Sequence, residues 1–550
     1  MTEDNQNNEF KPQPLPGQVF IRPGIDDRPD YEKTLTPEAK AAMRRLTVKQ
    51  HPRVPEASNE RPETQVARIA AEGGAPLTAA AHLDAAVPNL ESSFLDLRDP
   101  MTAPDGTKPT KSQANRLTAG FALGSMLFNV PLAALNTVLM PQFVCRLTAV
   151  DGTSGLTPAN GLNSSCNLAL LTIAGFVLTF VMNAVIAVAS DHSYCRFGRR
   201  TPWIIGGSVL TAAAVAIMAT AEILPLAVFF WLLAQIGYAM VAIPFAAAFG
   251  ERIPDKFRDR ADSWRGKGQA FGEMVGVIAA VAATWNLDGL DWSVGTTRTA
   301  IVDCAWGFLV AAIVTLLILP FESSSSYLPR RSVKRSDYFS QYRPPKDAPK
   351  FYVAFVARML GVATTVGITV FQWYLAQFGL DKASVDSRFL GFHGAGAVVV
   401  AMAVCTFVGA LAAALLLGRI ARAVDDLRMP AVASCVLFAV AAVLPLLIDD
   451  HMLAIALYAL LAGFAYVVFD STSQSLGLAI LPDVRSVGRS LAAYSLANTI
   501  GALLGVAVCA VVIIATGVDL AMFAVAAIAM LLAAVLTLPL KNDGASIEND

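Results

Sequence analysis

Residues 167–221 read NLALLTIAGFVLTFVMNAVIAVASDHSYCRFGRRTPWIIGGSVLTAAAVAIMATA. Two apolar runs, 167–189 and 203–221, flank one short basic loop. About 20 apolar residues are needed for a helix to cross the hydrocarbon core of a bilayer. A helix on the surface of a soluble protein would carry a polar stripe, and these runs are apolar on most faces. The stretch therefore predicts two membrane-spanning helices joined by a basic turn.

Outward from this hairpin the same pattern repeats. Further apolar runs fall at 118–141, 224–248, 268–286, 300–320, 352–377, 394–417, 430–448, 452–476, 491–514 and 518–539. With the first pair, the expected fold is an all-α membrane protein of twelve transmembrane helices. The composition agrees: 55% of the 550 residues are hydrophobic and 15% charged, where a soluble chain is about a quarter charged. A soluble enzyme is excluded, and no G-x-x-x-x-G-K-[ST] loop marks a primary pump. Ordinary basic loops give no support for nucleic-acid binding. The seven cysteines form no Cys-x-x-Cys pair and have no histidine set nearby, so no metal site is expected.

Lys and Arg concentrate in alternate loops, above all in the middle segment FESSSSYLPRRSVKRSDYFSQYRPPKDAPK (321–350). By the positive-inside rule these loops are cytoplasmic. Both termini then lie inside, in a plasma (inner) membrane. The expected organisation is a cytoplasmic tail over 1–116, a six-helix bundle over 117–320, a middle loop over 321–351, a second bundle over 352–540 and a short tail over 541–550. The first tail, rich in Pro, charge and amides, buries too little apolar surface to offset its ordering entropy and is expected to be mostly disordered. Its piece 38–49 has the pattern of a transient amphipathic helix. No basic start followed by an apolar core marks a cleavable signal peptide.

The two halves echo each other. Arg200 and Arg428, Pro202 and Pro430, Tyr238 and Tyr466, Pro254 and Pro482, and Asp255 and Asp483 are each 228 apart (428 − 200 and so on). After a slip of one residue, Arg260 and Arg489, Gly272 and Gly501, and Gly276 and Gly505 follow. Two parallel six-helix repeats place a substrate site at their interface near the midplane.

The loop SDHSYCRFGRRTPW (190–203) resembles the cytoplasmic signature of the major facilitator superfamily. Its form, with Asp191, Arg196, Phe197, Gly198, Arg199, Arg200 and Pro202, is similar to that of the glycoside–pentoside–hexuronide symporters and sucrose transporters. So are IPDKFRDRADSWRGKGQAFGEMVG (253–276) and its echo LPDVRSVGRSLAAYSLANTIGALLG (481–505). The resemblance implies the twelve-helix facilitator fold and cation-coupled sugar transport over about 117–540.

Read physically, Gly198 allows a tight turn, and Arg199 and Arg200 can meet carboxylates at neighbouring helix ends. Asp191 pairing with them would make a cytoplasmic gate. The plainer reading is that positive residues hold the loop inside. The second copy, GRIARAVDDLRMP (418–430), has Arg419 where the first has Asp191.

An ionisable residue at mid-bilayer costs about 2.5–3.5 kcal/mol on insertion scales. Glu273, Arg358 and Asp470 lie in the cytoplasmic half of their spans, while Asp303 lies near the outer end of its own. Glu273 is the first candidate for a coupling carboxyl, with Arg358 and Asp470 as alternatives; structural ion pairs would serve equally to hold helices together. The sodium cage of related symporters needs acids in the second and fourth spans, where this chain offers Asn183, Gln235 and Tyr238. A proton is thus the expected coupling ion ahead of sodium, and no other cofactor is expected.

Asn129 and Asn136, seven apart, are expected on one face of the first span. With Gln235, Tyr238, Gln372, Trp373, Gln474, Tyr494 and Asn498 they are candidates to line the cavity, since amides and aromatic rings suit a sugar. Helix–helix hydrogen bonding would explain them too. Cys145 and Cys166 bound the first outer loop, as a disulfide or as two thiols. The expected partners are the bilayer and a small solute, with the chain a monomer. Export of an amphipathic compound and a transport-inactive sensor or assembly factor are the other functions this pattern admits.

Overall fold

The computed structural model describes residues 103, 107–148, 158–284, 294–320, 322, 325, 348–380, 388–423, 426, 428–479 and 487–540. Most of the expected N-terminal tail, its 38–49 piece, most of the middle segment and residues 541–550 lie outside the described residues.

Among the described residues, twelve long helices follow in order: α1 (Lys111–Thr148), α2 (Pro158–Asp191), α3 (Thr201–Met218), α4 (Leu224–Arg252), α5 (Asp255–Thr284), α6 (Val294–Ile318), α7 (Pro349–Gly379), α8 (Gly394–Ala423), α9 (Arg428–Leu447), α10 (His451–Ala479), α11 (Val487–Thr516) and α12 (Ala521–Thr537). Between α7 and α8 a two-stranded hairpin pairs β1 (Arg388–Phe389) with β2 (Phe392–His393). Among the described residues, ten helices are long and apolar enough to cross a membrane. The other two are α5, whose first half is charged, and α12, an apolar helix of 17 residues.

The helices outrun the apolar runs. Thr110 starts α1 before the expected boundary at 117, because its hydroxyl caps the Gln113 N–H while the Gln113 side chain accepts from the Thr110 N–H. That reciprocal pair satisfies two otherwise orphaned donors. At the other end α1 continues to Thr148 and α2 starts at Pro158, so much of the expected first loop is helical. We call the end of the bundle that carries the α2–α3 turn the basic end and the opposite one the far end.

Packing follows the repeat heard in the sequence. In the first half α1 packs on α5 and α6, α3 on α4 and α6, and α2 on α4; in the second, α7 packs on α11 and α12, α9 on α10 and α12, and α8 on α10. The halves meet along two main seams, α2 with α11 and α5 with α8, and α7 also touches α1.

The echoed glycines explain why these pairs sit so close. A Cβ on Gly268, Gly272 or Gly276 of α5 would lie 2.4, 2.3 or 2.2 Å from the carbonyl oxygens of Ala122, Met126 and Val130 on α1. On α11, a Cβ on Gly501 or Gly505 would likewise lie 2.5 or 2.0 Å from the carbonyl oxygens of Met359 and Ala363 on α7. In lipid the hydrophobic effect does not drive helices together, and close backbone packing takes its place.

Within α1 the segment Ala134–Leu139 is a π-helix. The wider turn breaks the seven-residue register, so Asn129 and Asn136 do not share an environment. Asn129 is half-buried and donates to the Ser125 carbonyl at 2.8 Å, whereas Asn136 is exposed.

Candidate functional site

At the basic end, Arg200 is buried just before α3, held by Asp191 at 2.5 Å, Glu251 at 2.6 Å and the Ser190 hydroxyl at 2.8 Å. Arg199 reaches the same Glu251 at 3.2 Å. Burial opposes the charge on Arg200, and the Asp191 and Glu251 carboxylates more than offset it, so its pKa is raised and it stays a cation. Arg196 stands apart from this cluster, stacked over the Phe197 ring.

Glu322, from the middle segment, completes the cluster. Its carboxylate accepts the backbone N–H groups of Arg199 (2.9 Å), Arg200 (3.0 Å) and Thr201 (3.2 Å), and the Thr201 hydroxyl (3.2 Å). An anion at a helix N-terminus satisfies orphaned donors and favours the helix dipole. Ser325 ties the same segment to the α2–α3 turn through Cys195 and Ser193. Gly198 has φ +94°, and a Cβ there would sit 2.2 Å from Glu322 Oε2.

Gly198→Ala is therefore expected to destabilise the protein by about 1–3 kcal/mol, read as a lower Tm in detergent. In a Glu322→Ala background the same change should cost less, because only the backbone strain is left. Equal costs in both backgrounds would show that Glu322 is not what excludes the side chain.

The second half has its own local arrangement at this position. Asp426 accepts the Arg428 backbone N–H at 3.0 Å and pairs with its guanidinium, which also donates to the Leu538 carbonyl at 3.3 Å.

Deeper in the second half, Arg358 of α7 is buried with every arm engaged. It meets Asp470 of α10 at 2.7 Å, Asn498 of α11 at 2.8 Å, the Ser473 hydroxyl at 2.9 Å and Gln474 at 3.4 Å. The Tyr494 ring lies 5.7 Å from the guanidinium, and its hydroxyl donates to the Ser473 carbonyl at 2.9 Å. Arg358 and Asp470 thus pair with each other. Gln474, Tyr494 and Asn498, expected in a cavity, are drawn into this network instead. A buried guanidinium needs its fixed fork of donors filled, and these side chains fill it.

The cavity lies at the junction of the halves. Atom-free space of about 620 Å³, part of it open to solvent, is lined from the first half by Glu273, Met274 and Val277 of α5, and from the second by residues of α7 to α10. Thr365, Thr369, Gln372, Thr406, Tyr458 and Tyr466 supply its polar groups. Among the described residues, Glu273, 7% exposed, is the carboxylic acid in this lining, and no basic side chain lines it.

A family profile described as Major Facilitator Superfamily matches residues 123–476. The chain belongs to that superfamily. Its fold is accordingly a transporter's, one that binds small molecules within the bilayer, and not an enzyme's. Among curated proteins nothing matches the chain. Solved structures do. The nucleoside transporter NupG aligns with a TM-score of 0.55 at 12% identity, over 77% of this chain and 98% of that one. A bacterial homolog of the human lysosomal transporter Spinster, inward-facing and unoccupied, aligns with a TM-score of 0.50 at 15% identity, over 78% and 96%. At such identities the likeness is one of fold.

The remaining expected positions sort readily in this facilitator. Gln372 lines the cavity, while its neighbour Trp373 donates to Gln377 at 2.8 Å on its own helix. Tyr238 packs against Phe308 of α6, and Gln235 lies against Gly175 of α2. Asp303 is exposed on α6. Cys145 and Cys166 are not bonded to each other. Cys145 is buried in the core beside Ser164, since the helical continuation of α1 turns it inward, and Cys166 is half-buried on α2.

Sequence reasoning missed Glu251 and Glu322, which sit at a helix end and in a loop where charge reads as topology. It also missed the buried pair Asp262–Arg265 in the first turns of α5, joined at 2.9 Å with Arg265 over the Phe249 ring.

At the far end a hydrogen bond crosses between the halves. The Tyr374 hydroxyl of α7 donates to the Pro141 carbonyl of α1 at 2.8 Å, with the Ser164 hydroxyl also in contact. Losing a bond worth about 0.5–1.5 kcal/mol should shift the population toward far-end-open by roughly 2- to 12-fold. Spin labels at the exposed positions Ile223 and Leu447 should report more of the long distance in Tyr374→Phe. An unchanged distribution would mean this bond does not hold the far end shut.

Proposed function

We propose that this chain is a secondary transporter that moves a small polar solute, a sugar or glycoside, by alternating access coupled to protons. In this reading it lies in the plasma membrane with the basic end and both termini in the cytoplasm, as the distribution of Lys and Arg favours.

The observation that carries the reading is the cavity, where one buried carboxyl from the first half faces amide, hydroxyl and aromatic groups of the second. Hydroxyls and the Gln372 amide offer both donors and acceptors to a polyol. Phe438, Tyr458 and Tyr466 offer faces for its apolar side. Among the described residues the lining pairs a carboxyl with hydroxyl and amide groups and no basic side chain, which favours an uncharged solute over an anion. The resemblance of the 190–203 loop to the glycoside–pentoside–hexuronide branch supports the sugar class. A carboxyl whose exposure alternates can load and release a proton, and the burial of Glu273 in the cavity lining supports that role for it.

Uptake into proteoliposomes tests the solute class. A radiolabelled sugar should be displaced by some mono- or disaccharides and glycosides but not by amphipathic cations, and Gln372→Leu should weaken its apparent affinity at least several-fold. Displacement by unrelated amphipathic compounds would favour an exporter.

A further inference from the structure

The charged first half of α5 belongs neither to the cavity nor to the Arg200 cluster. It carries five cations, and the structure sorts them. Arg258 turns in to the Gly250 carbonyl at 3.2 Å, and Arg265 turns in to Asp262. Lys256, Arg260 and Lys267 instead follow one face with Trp264 and Phe271, at steps of four, four, three and four residues (256, 260, 264, 267, 271). Such spacing keeps all five on a single helical stripe.

The chemistry along the stripe is ordered. Lys256 and Arg260 are exposed at the basic end. Next, Lys267 lies over the Trp264 ring at 5.3 Å, with Trp264 still 51% exposed. Phe271, 41% exposed, then makes an edge contact at 5.7 Å with Phe407 of α8. That contact crosses the seam between the halves. At about 1.5 Å per residue, Lys256 stands above the headgroup layer, Arg260 and Trp264 fall within it, the Lys267 ammonium reaches back to the level of the indole, and the phenyl pair lies below among acyl chains. With the Lys267 ammonium drawn back over the indole, the charges lie level with or above the amphipathic ring and the apolar ring lies below it, the order of phosphate, glycerol and acyl chain in a phospholipid.

We propose that this stripe binds one anionic phospholipid in the α5–α8 seam. Its phosphate rests on Arg260 and Lys267, Lys256 extends the positive field outward, and Trp264 sits at the glycerol level. The first acyl carbons lie over Phe271 and Phe407, so the bound lipid touches both halves. Annular lipid in general would cover the same helix without preferring a headgroup; the three outward cations make the difference.

The full chain in phosphatidylcholine nanodiscs, doped with photoactivatable phosphatidylglycerol or phosphatidylcholine, provides the test. Crosslinks mapped by mass spectrometry should fall on 264–271 and on α8 around Phe407, several-fold more with phosphatidylglycerol. The Lys256→Gln/Arg260→Gln/Lys267→Gln variant should drop to the phosphatidylcholine level, and Lys256→Arg/Lys267→Arg should keep the preference. Equal labelling by the two lipids in the unmodified protein would overturn the proposal. So would an unchanged preference in the folded triple variant, or loss of the preference when inorganic phosphate competes, which would assign the site to a free anion.

Discussion

Gly276→Val and Gly505→Val are expected to abolish recovery of folded protein, each lowering the monodisperse yield at least roughly tenfold. At Gly276 a Cβ would stand 2.2 Å from the Val130 carbonyl oxygen, and at Gly505 it would stand 2.0 Å from that of Ala363. Both obstacles are backbone, so no side chain can swing aside. The helices must separate instead, and each separation strips contacts from a whole interface, α1 on α5 or α7 on α11. Overpacking typically costs 1–3 kcal/mol where side chains can adjust, and here about 3 kcal/mol or more is expected. Gly206→Val is the control, since the nearest side-chain atom to its Cβ is the Met240 methyl at 3.9 Å. Fluorescence-detected size exclusion distinguishes the cases. Normal yield from both substituted helices would mean that the α1–α5 and α7–α11 contacts are looser than the structure has them.

Arg358→Met should be the most destabilising single change among the charged residues. It leaves the buried Asp470 carboxylate without its 2.7 Å partner and takes the donors from Asn498, Ser473 and Gln474. Breaking a buried pair from one side costs about 3–5 kcal/mol, because the surviving charge keeps its desolvation penalty. Removing both charges is far cheaper, so Arg358→Met/Asp470→Leu should recover much of the lost stability. Arg358→Lys should recover little, since an ammonium cannot span three helices with one planar fork. The measurement is thermal unfolding in detergent, taken around the cycle of single and double variants. A single-variant loss below about 1 kcal/mol would contradict the account of Arg358 as the fastener of α7, α10 and α11.

How far such positions could be read from sequence depended on what each residue reports. Gly272 with Gly501 and Gly276 with Gly505 were legible as echoes, because a close backbone approach tolerates only hydrogen and the two halves need it at equivalent points. Arg358 and Asp470 were legible too, since a charge in an apolar span requires a partner. The destination of Gln474, Tyr494 and Asn498 was not. An amide serves an arginine or a sugar equally well, and only the rotation of α10 and α11 about their axes decides between them. Asn129 and Asn136 show a related limit: regular periodicity assumes an unbroken α-helix, and the π segment at Ala134–Leu139 removes that assumption. Cys145 and Cys166 bracketed an apparent loop, yet their placement followed from helix ends that apolarity alone does not mark.

The charges of the 190–203 turn illustrate a partial reading. Asp191 and Arg200 do meet, at 2.5 Å. The carboxylates that complete the arrangement, Glu251 and Glu322, come from the end of α4 and from the middle segment, 51 and 122 residues from Arg200. A local motif does not disclose partners so far along the chain.

The central claim is that Glu273 couples proton movement to a polar solute in the cavity between the halves. Proton flux in proteoliposomes tests it most directly, with an external pH dye and a panel of mono- and disaccharides and glycosides. The account predicts solute-dependent alkalinisation outside, lost in Glu273→Gln while the folded protein still binds and exchanges the solute. Solute-driven proton uptake that persists undiminished in Glu273→Gln would contradict it.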